Sequence, residues 1–273
     1  MPRRMTAADI AAGLRLCRAS RWNQLEEDWR MFVEPPSGAW LLERGDTVIG
    51  TAALARYDKL AWVAMMLVDP AERRAGHGGR LLSAALDAAD GASCVGLDAT
   101  PLGQPLYRKF GFVESYSLLR MTWGRPPGLP SLGRPGGLPH VITPTDLPAI
   151  CLMDREIFGA DRSSLLSSLL ARSPESAWTI EGQGYCFGRP GHLYHQLGPI
   201  VASDFDTARA LVTHALAAHP GTIDVPLLDP AWIDWLKSIG FLEERPFVRM
   251  FLRGHVHPGN PARQYAITGP EFA

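Results

Sequence analysis

The sequence predicts a mixed α/β (α+β) protein made of two tandem domains of one fold. Three observations carry this prediction: a length of 273 residues, a Pro- and Gly-rich stretch over 124–139, and the same order of elements on both sides of it. Domains of about 100–150 residues are the commonest size, so the length favours two cores. Because proline lacks an amide donor and glycine loses much entropy on folding, 124–139 forms neither a helix nor a central strand. We therefore predict domains over 1–123 and 140–273, joined by a linker.

Hydrophobic spacing in the first half predicts alternating helices and strands. Thr6 and Asp9 form a capping-box pattern ahead of a first helix, and an acidic second helix is expected over 24–32. The following elements are three strands, a helix, a strand, a short helix and a closing hairpin. They are expected over 39–42, 47–55, 61–68, 78–89, 93–98, 104–110, and 112–114 with 117–123.

The second half repeats this order. Its strands are expected over 141–143, 177–180, 184–187, 194–201, 222–225 and 247–252, and its helices over 146–158, 163–171, 206–219 and 229–239. Both halves end with a helix closed by glycine and followed by phenylalanine, at Gly111-Phe112 and Gly240-Phe241. One matching helix end is common, but two complete matching orders indicate a tandem repeat.

The composition is that of an ordinary globular protein. Hydrophobic residues make up 46% and charged residues 20% of the chain, and the net charge of −1 provides no field that attracts nucleic acid or an anionic membrane. No apolar run approaches the ~20 residues of a membrane-spanning helix, and the start of the chain has no hydrophobic signal core. The four cysteines form no CxxC pair, which indicates neither a metal site nor a disulfide framework. We expect a soluble, cytoplasmic protein without a metal.

The segment from Met66 to Leu82 has the pattern of an anion-binding turn. A strand ends, Pro70 forces an exit, and a glycine-rich turn opens directly into a helix. Free N–H groups and the positive end of the helix dipole then face outward, and glycine allows a close approach, which suits a pyrophosphate. The GKS/GKT of a P-loop and the GxGxxG of a dinucleotide fold are both absent.

Two motifs in this region resemble those of the GNAT superfamily of N-acetyltransferases. They are Val68-x-Pro70 followed by Arg73-x-x-Gly76-x-Gly78, and Tyr107-x-x-x-Gly111-Phe112. The resemblance covers residues 5–123 and implies, for each half, a mixed, mostly antiparallel twisted sheet flanked by helices. The whole chain resembles bacterial tandem proteins with a degenerate second GNAT-like domain. The cues are Trp22-Asn-Gln24, Asp28-Trp29, Phe158-Gly-Ala-Asp161-Arg162-Ser163, Gly198-Pro199-Ile200-Val201 and Ile267-Thr-Gly-Pro270-Glu271.

The resemblance implies a role for each residue that matches a motif. The backbone of Met66 and Val68 is expected to align the pantetheine arm and polarise the acetyl carbonyl. Tyr107 is expected beside the sulfur, where its hydroxyl, with an ordinary pKa of about 10, can protonate the departing thiolate. The remaining coenzyme A contacts are expected from the turn: Arg73, Arg74, Ala75, Gly76, His77, Gly78 and Gly79.

The acceptor side is less specified by the sequence. An amine of pKa about 10 must lose a proton before it attacks a thioester, so a carboxylate is expected as general base. The candidates are Glu26, Glu27 and Asp28 on the second helix, and Asp98 on the strand before Tyr107. Because aromatic rings bind cations, an acceptor pocket is proposed from Trp22, Asn23, Gln24 and Trp29. The alternative is a solvated helix face with Trp29 turned into the core.

The second half lacks the features of the anion-binding turn. Its equivalent stretch, 199–207, has no arginine and no glycine pair, and Asp204 and Asp206 oppose an anion there. We therefore expect no coenzyme A in this half. It is expected to wall the acceptor cleft instead, with the lining candidates Phe158, Trp178, Tyr185 and Arg189.

These predictions lead to one main function and two alternatives. The main one is transfer of an acetyl or other short acyl group from acetyl-CoA to a small-molecule or protein amine, by direct attack in a ternary complex. Cys94 lies mid-strand among apolar residues, which disfavours covalent transfer. The first alternative is a non-catalytic acyl-CoA sensor. The second, a structural scaffold, is disfavoured by the intact phosphate-binding turn.

The protein is expected to be a monomer or a homodimer, and the identity of the acceptor amine and the length of the acyl chain stay open.

Overall fold

The computed structural model describes residues 1–124 and 138–273. Most of the predicted linker, 124–139, lies outside these residues, and the domain boundaries stay a prediction. Thr6 and Asp9 begin the first helix as expected, with the Asp9 carboxylate accepting from the Thr6 N–H at 2.8 Å. The elements of the first half are β1 (Arg3–Arg4), α1 (Ile10–Ala19), α2 (Glu26–Val33), β2 (Gly38–Arg44), β3 (Thr47–Tyr57), β4 (Leu60–Val68), α3 (His77–Asp87), β5 (Cys94–Ala99), α4 (Gln104–Lys109) and β6 (Phe112–Trp123).

The second half repeats this order and adds one short strand at its end, which the sequence did not predict. Its elements are β7 (His140–Val141), α5 (Leu147–Phe158), α6 (Ser163–Arg172), β8 (Trp178–Ile180), β9 (Gly184–Arg189), β10 (His195–Ala202), α7 (Phe205–Ala218), β11 (Gly221–Pro226), α8 (Pro230–Ser238), β12 (Phe241–Leu252) and β13 (Gln264–Ala266).

The closing hairpin predicted over 112–123 is wrong, because β6 is one continuous strand. Opposite β6, Arg249 pairs with Tyr116 and the next residue, Met250, pairs with Glu114, so Ser115 is an extra residue on β6. This is a β-bulge, which bends a strand without ending it. The polar residues around Ser115 therefore mark a bend in a long strand and not a turn.

The strands of the described residues form one sheet that runs through both halves. Their order is β1-β2-β3-β4-β5-β12-β6-β11-β10-β9-β8-β7, and β13 pairs with β10 outside this path. The pairs β4–β5 and β10–β11 are parallel, and the other pairs are antiparallel. Each half therefore contributes one long strand to the sheet of the other half: β12 lies against β5, and β6 lies against β11.

Two buried ion pairs tie the exchanged strands to their neighbours. Arg249 of β12 forms two hydrogen bonds of 2.8 Å to the carboxylate of Asp98 on β5. Arg120 of β6 forms two bonds of 2.8 Å to Asp224 on β11. Both pairs are bidentate, which gives them a defined geometry. The same contact therefore occurs twice, each time between an arginine of one half and an aspartate of the other.

The helices cover both faces of the sheet. On one face α1, α2, α5 and α6 share a core that contains residues of both halves, among them Trp29, Phe32, Tyr57 and Phe158. On the opposite face α3 and α4 cover the first half, and α7 and α8 cover the second. Because strand side chains alternate between faces, Tyr185 belongs to the shared core, and its neighbour Cys186 belongs to the core on the opposite face.

The parallel strands β4 and β5 separate along their length. They pair from Leu60 with Cys94 to Trp62 with Gly96, and beyond that no described strand pairs with β4 on the side of β5, while β3 continues on its other side. A register shift against β3 marks the same region, where Met65 has a φ of 50°. The Thr51 hydroxyl stabilises this bulge by donating to the Met65 carbonyl at 2.9 Å. The separation leaves a notch beside the end of β4.

We predict that Arg249→Met destabilises the protein by about 3–5 kcal/mol, because the Asp98 carboxylate is left buried without its partner. The side chains of both residues are 0% exposed. The matched control is Arg108→Met, which removes an ion pair to Glu114 whose partners are about half exposed and should cost less than about 1 kcal/mol. Urea unfolding of the three proteins measures the difference. Equal losses for the two variants would contradict the role assigned to the Arg249–Asp98 pair.

Candidate active site

A cavity of about 1280 Å³ opens at the notch between β4 and β5. In the first half, the cavity is lined by residues from four ranges: 19–24, 63–68, 70–79 and 98–107. The exchanged strands and the final segment of the chain complete the wall, through Arg120, Arg245, Phe247, Pro270 and Glu271. Ligand cavities of proteins commonly have about 300–1,000 Å³, so this one has room for a large ligand and a second molecule.

The anion-binding turn predicted from the sequence lies at this cavity. Gly76 has a φ of 81° and directly precedes α3, and no side chain caps the helix start. A positive φ favours glycine, so Gly76 permits the sharp entry into the helix. The N–H groups of the first turn have no partner within the helix, and the helix dipole adds partial positive charge. The start of α3 is thus a cradle for an anion.

Most of the proposed coenzyme A residues line the cavity, and Ala75 is the exception. Gly78 lies against α4, where an added Cβ would be 3.2 Å from Leu106. The Arg73 side chain donates to the Val68 carbonyl at 3.2 Å and so joins the turn to the end of β4. His77 has both ring nitrogens buried without a hydrogen-bond partner in the described residues, and its Nε2 lies 3.8 Å from a Glu72 oxygen.

Tyr107 lies on α4 with its side chain at the cavity. Its ring packs against Gly103, where an added Cβ would lie 2.7 Å from a ring carbon, and against Phe112 at 6.0 Å between ring centroids. Its hydroxyl forms no hydrogen bond within the described part of the chain. Burial raises the pKa of Tyr107 above its ordinary value, so the hydroxyl stays protonated and is available as a donor.

The acceptor residues proposed from the sequence divide into two groups. Trp22, Asn23 and Gln24 line the cavity. Trp29 does not, because it is 0% exposed and packs in the shared core against Gly13. Its amphipathic helix turns this face inward, as the alternative interpretation expected.

Asn23 has a structural function in addition to its place at the cavity. Its amide donates to the Tyr194 carbonyl at 3.0 Å and accepts from the N–H groups of Leu193 and Tyr194. These bonds hold the β9–β10 connection of the second half against the first half.

The predicted carboxylates do not face the cavity. Glu26 is exposed and pairs with Arg30 at 2.5 Å, and Glu27 is exposed. Asp28 is fully buried between Arg172 and Arg189. Asp98 borders the cavity only with its backbone, because its side chain is 0% exposed in the pair with Arg249. Burial raises the pKa of Asp98 above its ordinary value although Arg249 lies beside it.

The final segment of the chain brings a carboxylate to the cavity that sequence reasoning missed. One oxygen of Glu271 pairs with Arg189, and the other has no hydrogen-bond partner among the described residues. The segment is held on both sides of Glu271: Trp62 donates to the Pro270 carbonyl at 2.9 Å, and Tyr57 to the Phe272 carbonyl at 3.0 Å. The motif Ile267-Thr-Gly-Pro270-Glu271 was a cue for the tandem arrangement, but nothing in it indicates where the chain lies.

The lining candidates proposed from the second half lie elsewhere. Phe158 and Tyr185 are in the shared core, Trp178 packs on His214 at 4.3 Å, and Arg189 is buried behind Glu271. The second half does wall the cavity, but with β12 and the final segment. Neither position follows from local sequence, because both depend on the strand exchange.

The notch of the second half is filled by the chain itself. β10 and β11 also separate after three paired residues, and β13 enters the gap, pairing Ala266 with Ile200. Ile267 continues along β11 by donating to the Asp224 carbonyl at 2.9 Å. At the start of α7 the Asp204 carboxylate accepts from the Thr207 N–H at 2.8 Å, which takes the place that an anion would use.

Residues 1–124 and 138–273 contain no group of three or more His, Cys, Asp or Glu side chains that could hold a metal ion. They also contain no helix long and apolar enough to cross a membrane.

Both halves match models of one acetyltransferase family. Residues 10–112 match the Acetyltransferase (GNAT) family, and residues 150–266 match the Acetyltransferase (GNAT) domain. The chain is a tandem member of the GNAT superfamily. The predicted family and the predicted mixed, mostly antiparallel fold are therefore confirmed, and the family supports acyl transfer as the activity of this tandem GNAT protein.

Relatives of similar length agree with this membership. A Bacillus subtilis protein named as the uncharacterized N-acetyltransferase YitH is 27% identical, covering 85% of this chain and 84% of that protein. The holothin acyltransferase of a Pseudoalteromonas species is 29% identical, covering 93% of this chain and 88% of that protein.

Solved structures share the complete two-half architecture. A putative acetyltransferase from Pyrococcus horikoshii superposes with a TM-score of 0.85 at 23% identity, covering 100% of this chain and 95% of that one. A tandem GNAT protein from the clavulanic acid biosynthesis pathway has a TM-score of 0.63 at 17% identity, covering 94% and 99%. At these identities the likeness concerns the fold alone.

We predict that Gly103→Ala displaces the Tyr107 ring and costs about 1–3 kcal/mol, because the new methyl overlaps the ring. Gly103 has a φ of −83°, so alanine fits its backbone and only the side chains conflict. The control is Gly79→Ala, whose methyl meets Phe110 at an ordinary 3.7 Å and whose helix position favours alanine. Thermal unfolding and a crystal structure of each variant test this. A Gly103→Ala protein of wild-type stability with an unmoved Tyr107 would contradict it.

Proposed function

We propose that the tandem GNAT protein is an acyl-CoA-dependent N-acyltransferase whose first half carries the reaction. One observation carries this proposal: the open start of α3, the free edge of β4 and the unpaired Tyr107 hydroxyl line the same cavity. An acyl-CoA needs a cradle for its pyrophosphate, an extended edge for its pantetheine arm and a proton donor at its sulfur. The start of α3 suits the pyrophosphate, the edge of β4 suits the pantetheine arm, and the Tyr107 hydroxyl suits the sulfur.

Each part of the site has a chemical task in this proposal. The N–H groups from Arg74 to Gly79 bind the pyrophosphate with the help of the helix dipole. The backbone of Met66 and Val68, which has no paired strand on the side of β5, orients the arm and polarises the acyl carbonyl. The thioester supplies the acyl group, with coenzyme A thiolate as the leaving group. Tyr107 then protonates this thiolate.

The reaction is proposed as direct transfer from thioester to amine. The four cysteines are absent from the cavity wall, and burial raises the pKa of Cys94 to about 11, which leaves little thiolate for a covalent step. The acyl group is proposed to be acetyl or another short chain. Met65 and Met66 at the cavity leave room for adaptation to longer chains. By its name, one relative acylates holothin, a small molecule.

A non-catalytic acyl-CoA sensor is the second candidate function. It would need the cradle of α3 but no proton donor beside the sulfur. The Tyr107 hydroxyl therefore favours the enzyme. Turnover separates the two candidates, because a sensor binds acetyl-CoA without releasing its thiol.

We predict one acetyl-CoA site per chain, since the notch of the second half is filled by β13. Gly78→Glu should abolish binding, because it introduces bulk and negative charge at the pyrophosphate. The matched control is Ser203→Glu, which adds the same charge at the exposed equivalent turn of the second half and should bind normally. Isothermal titration calorimetry measures all three proteins. Two sites in the wild type would contradict the filled second notch, and unchanged affinity in Gly78→Glu would contradict the site assignment.

We predict that Tyr107→Phe lowers the turnover by about 10²–10⁴-fold, because the leaving thiolate loses its proton donor. The affinity for acetyl-CoA should stay the same, since the ring and its packing are retained. Tyr265→Phe is the control, because it removes a phenolic hydroxyl from β13, away from the cavity wall. Thiol release from acetyl-CoA with a mixture of amines reports the rate. Wild-type turnover in Tyr107→Phe would remove its role as the acid.

A further inference from the structure

Glu271 is the cavity carboxylate best placed to receive an amine. Glu72 pairs with Arg44 at 2.7 Å beside the cofactor turn, and both oxygens of Asp98 are bound by Arg249. In Glu271 one oxygen is anchored by Arg189, and the second is open to the cavity and unpartnered within the described ranges. A carboxylate fixed in this way can accept a hydrogen bond from an ammonium and take its proton.

The anchoring of Glu271 is independent of any ligand. Arg189 is itself 1% exposed and binds both oxygens of Asp28 at 3.1 Å. The backbone on both sides of Glu271 is held by Trp62 and Tyr57. A catalytic group fixed by its surroundings loses little entropy when it acts. This arrangement is therefore preorganised.

The cavity wall also carries a positively charged side chain, that of Arg245. Arg245 is half-buried and forms no ion pair with a described residue, and its Nε is buried without a hydrogen-bond partner. Its guanidinium lies over the ring of Phe247 at 5.3 Å, and Arg120 lies over the same ring at 5.3 Å. Burial and the neighbouring charge of Arg120 lower the pKa of Arg245.

The nearby carboxylates Asp224 and Glu244 favour the charged form of Arg245, but neither forms an ion pair with it. Arg120 already uses both oxygens of Asp224, and its remaining nitrogen donates to the Tyr194 hydroxyl. Asp28 and Glu271 are engaged by Arg189, with Arg172 as a further partner of Asp28. A half-buried guanidinium next to a second arginine is stabilised by a bound anion, because the anion offsets the repulsion between the two positive charges. Its planar donors fit a carboxylate or a phosphate.

We infer that the acceptor is a small amine that also carries an acidic group, with Glu271 binding the amine and Arg245 the acid. This inference rests on the proposed N-acyltransferase function and specifies its substrate class. Glu271 takes one proton from the bound ammonium. The neutral nitrogen then attacks the acyl carbon, the C–N bond forms and the C–S bond breaks. Tyr107 protonates the thiolate and regains a proton as the nitrogen loses its second one, while Glu271 releases its proton to solvent.

The test uses amines in matched pairs that differ in the acidic group. Suitable probes are 4-(aminomethyl)benzoate with 4-(aminomethyl)benzamide, and 5-aminopentanoate with pentylamine. Thiol release from acetyl-CoA gives kcat/KM, mass spectrometry identifies the acetylated amine, and calorimetry in the presence of coenzyme A gives acceptor binding. We expect the acidic member of at least one pair to be preferred by about tenfold or more, the worth of one charge-assisted pair.

Two variants assign the preference to its residues. Arg245→Met should reduce the ratio of kcat/KM between acidic and neutral members to about one and leave acetyl-CoA affinity unchanged. Glu271→Gln, which keeps the shape and one acceptor for Arg189, should lower turnover by about 10²-fold or more with both members of a pair. The control is Arg80→Met, an exposed arginine of α3 that does not line the cavity. It should change neither the ratio nor the turnover.

The results of these experiments distinguish failure of the inferred substrate class from failure of the proposed N-acyltransferase function. Equal preference for acidic and neutral amines, or a preference that survives Arg245→Met, overturns the inference while acyl transfer stands. Acidic amines that bind through Arg245 but are never acetylated overturn the proposed function and support the pocket chemistry. The absence of binding by any acidic probe overturns the inference.

Discussion

The buried pairs Arg249–Asp98 and Arg120–Asp224 lie at the centre of the sheet, where β12 and β6 each enter the sheet of the other half. The two arginines lie at equivalent positions, each equally far from the phenylalanine that begins its strand. Because each pair joins an arginine of one half to an aspartate of the other, neither half satisfies its own buried charge. The continuous sheet and the position of β12 depend on these contacts.

The cavity wall at which we propose that the acceptor binds depends on this exchange of β6 and β12. Arg120 is fixed by Asp224, and the fixed guanidinium holds Tyr194 and lies over Phe247. Arg245 comes from the same exchanged strand as Phe247. The proposed cofactor side of the cavity is local to the first half, whereas the proposed acceptor side is assembled from segments that are distant in the chain.

The features that the sequence predicted are local ones, and those that it missed depend on segments distant in the chain. The turn at Gly76, the helix after it and Tyr107 were predicted from neighbouring residues alone, and the structure brings all three to one cavity. The burial of Asp28 depends on Arg189, 161 residues away, and the bulge at Ser115 resembled a turn. The strand exchange and the place of Glu271 could not be predicted, because spacing and periodicity describe a segment but not its distant neighbours.

The second half fills its own notch and also completes the cavity of the first half. Its own β13 now occupies the slot, and the chain leaves that slot towards the cavity of the first half, where it carries Glu271. The second half also supplies β12 as the neighbour of β5. A copy that gives its sister domain both a strand and a wall cannot be deleted without damage to the sister.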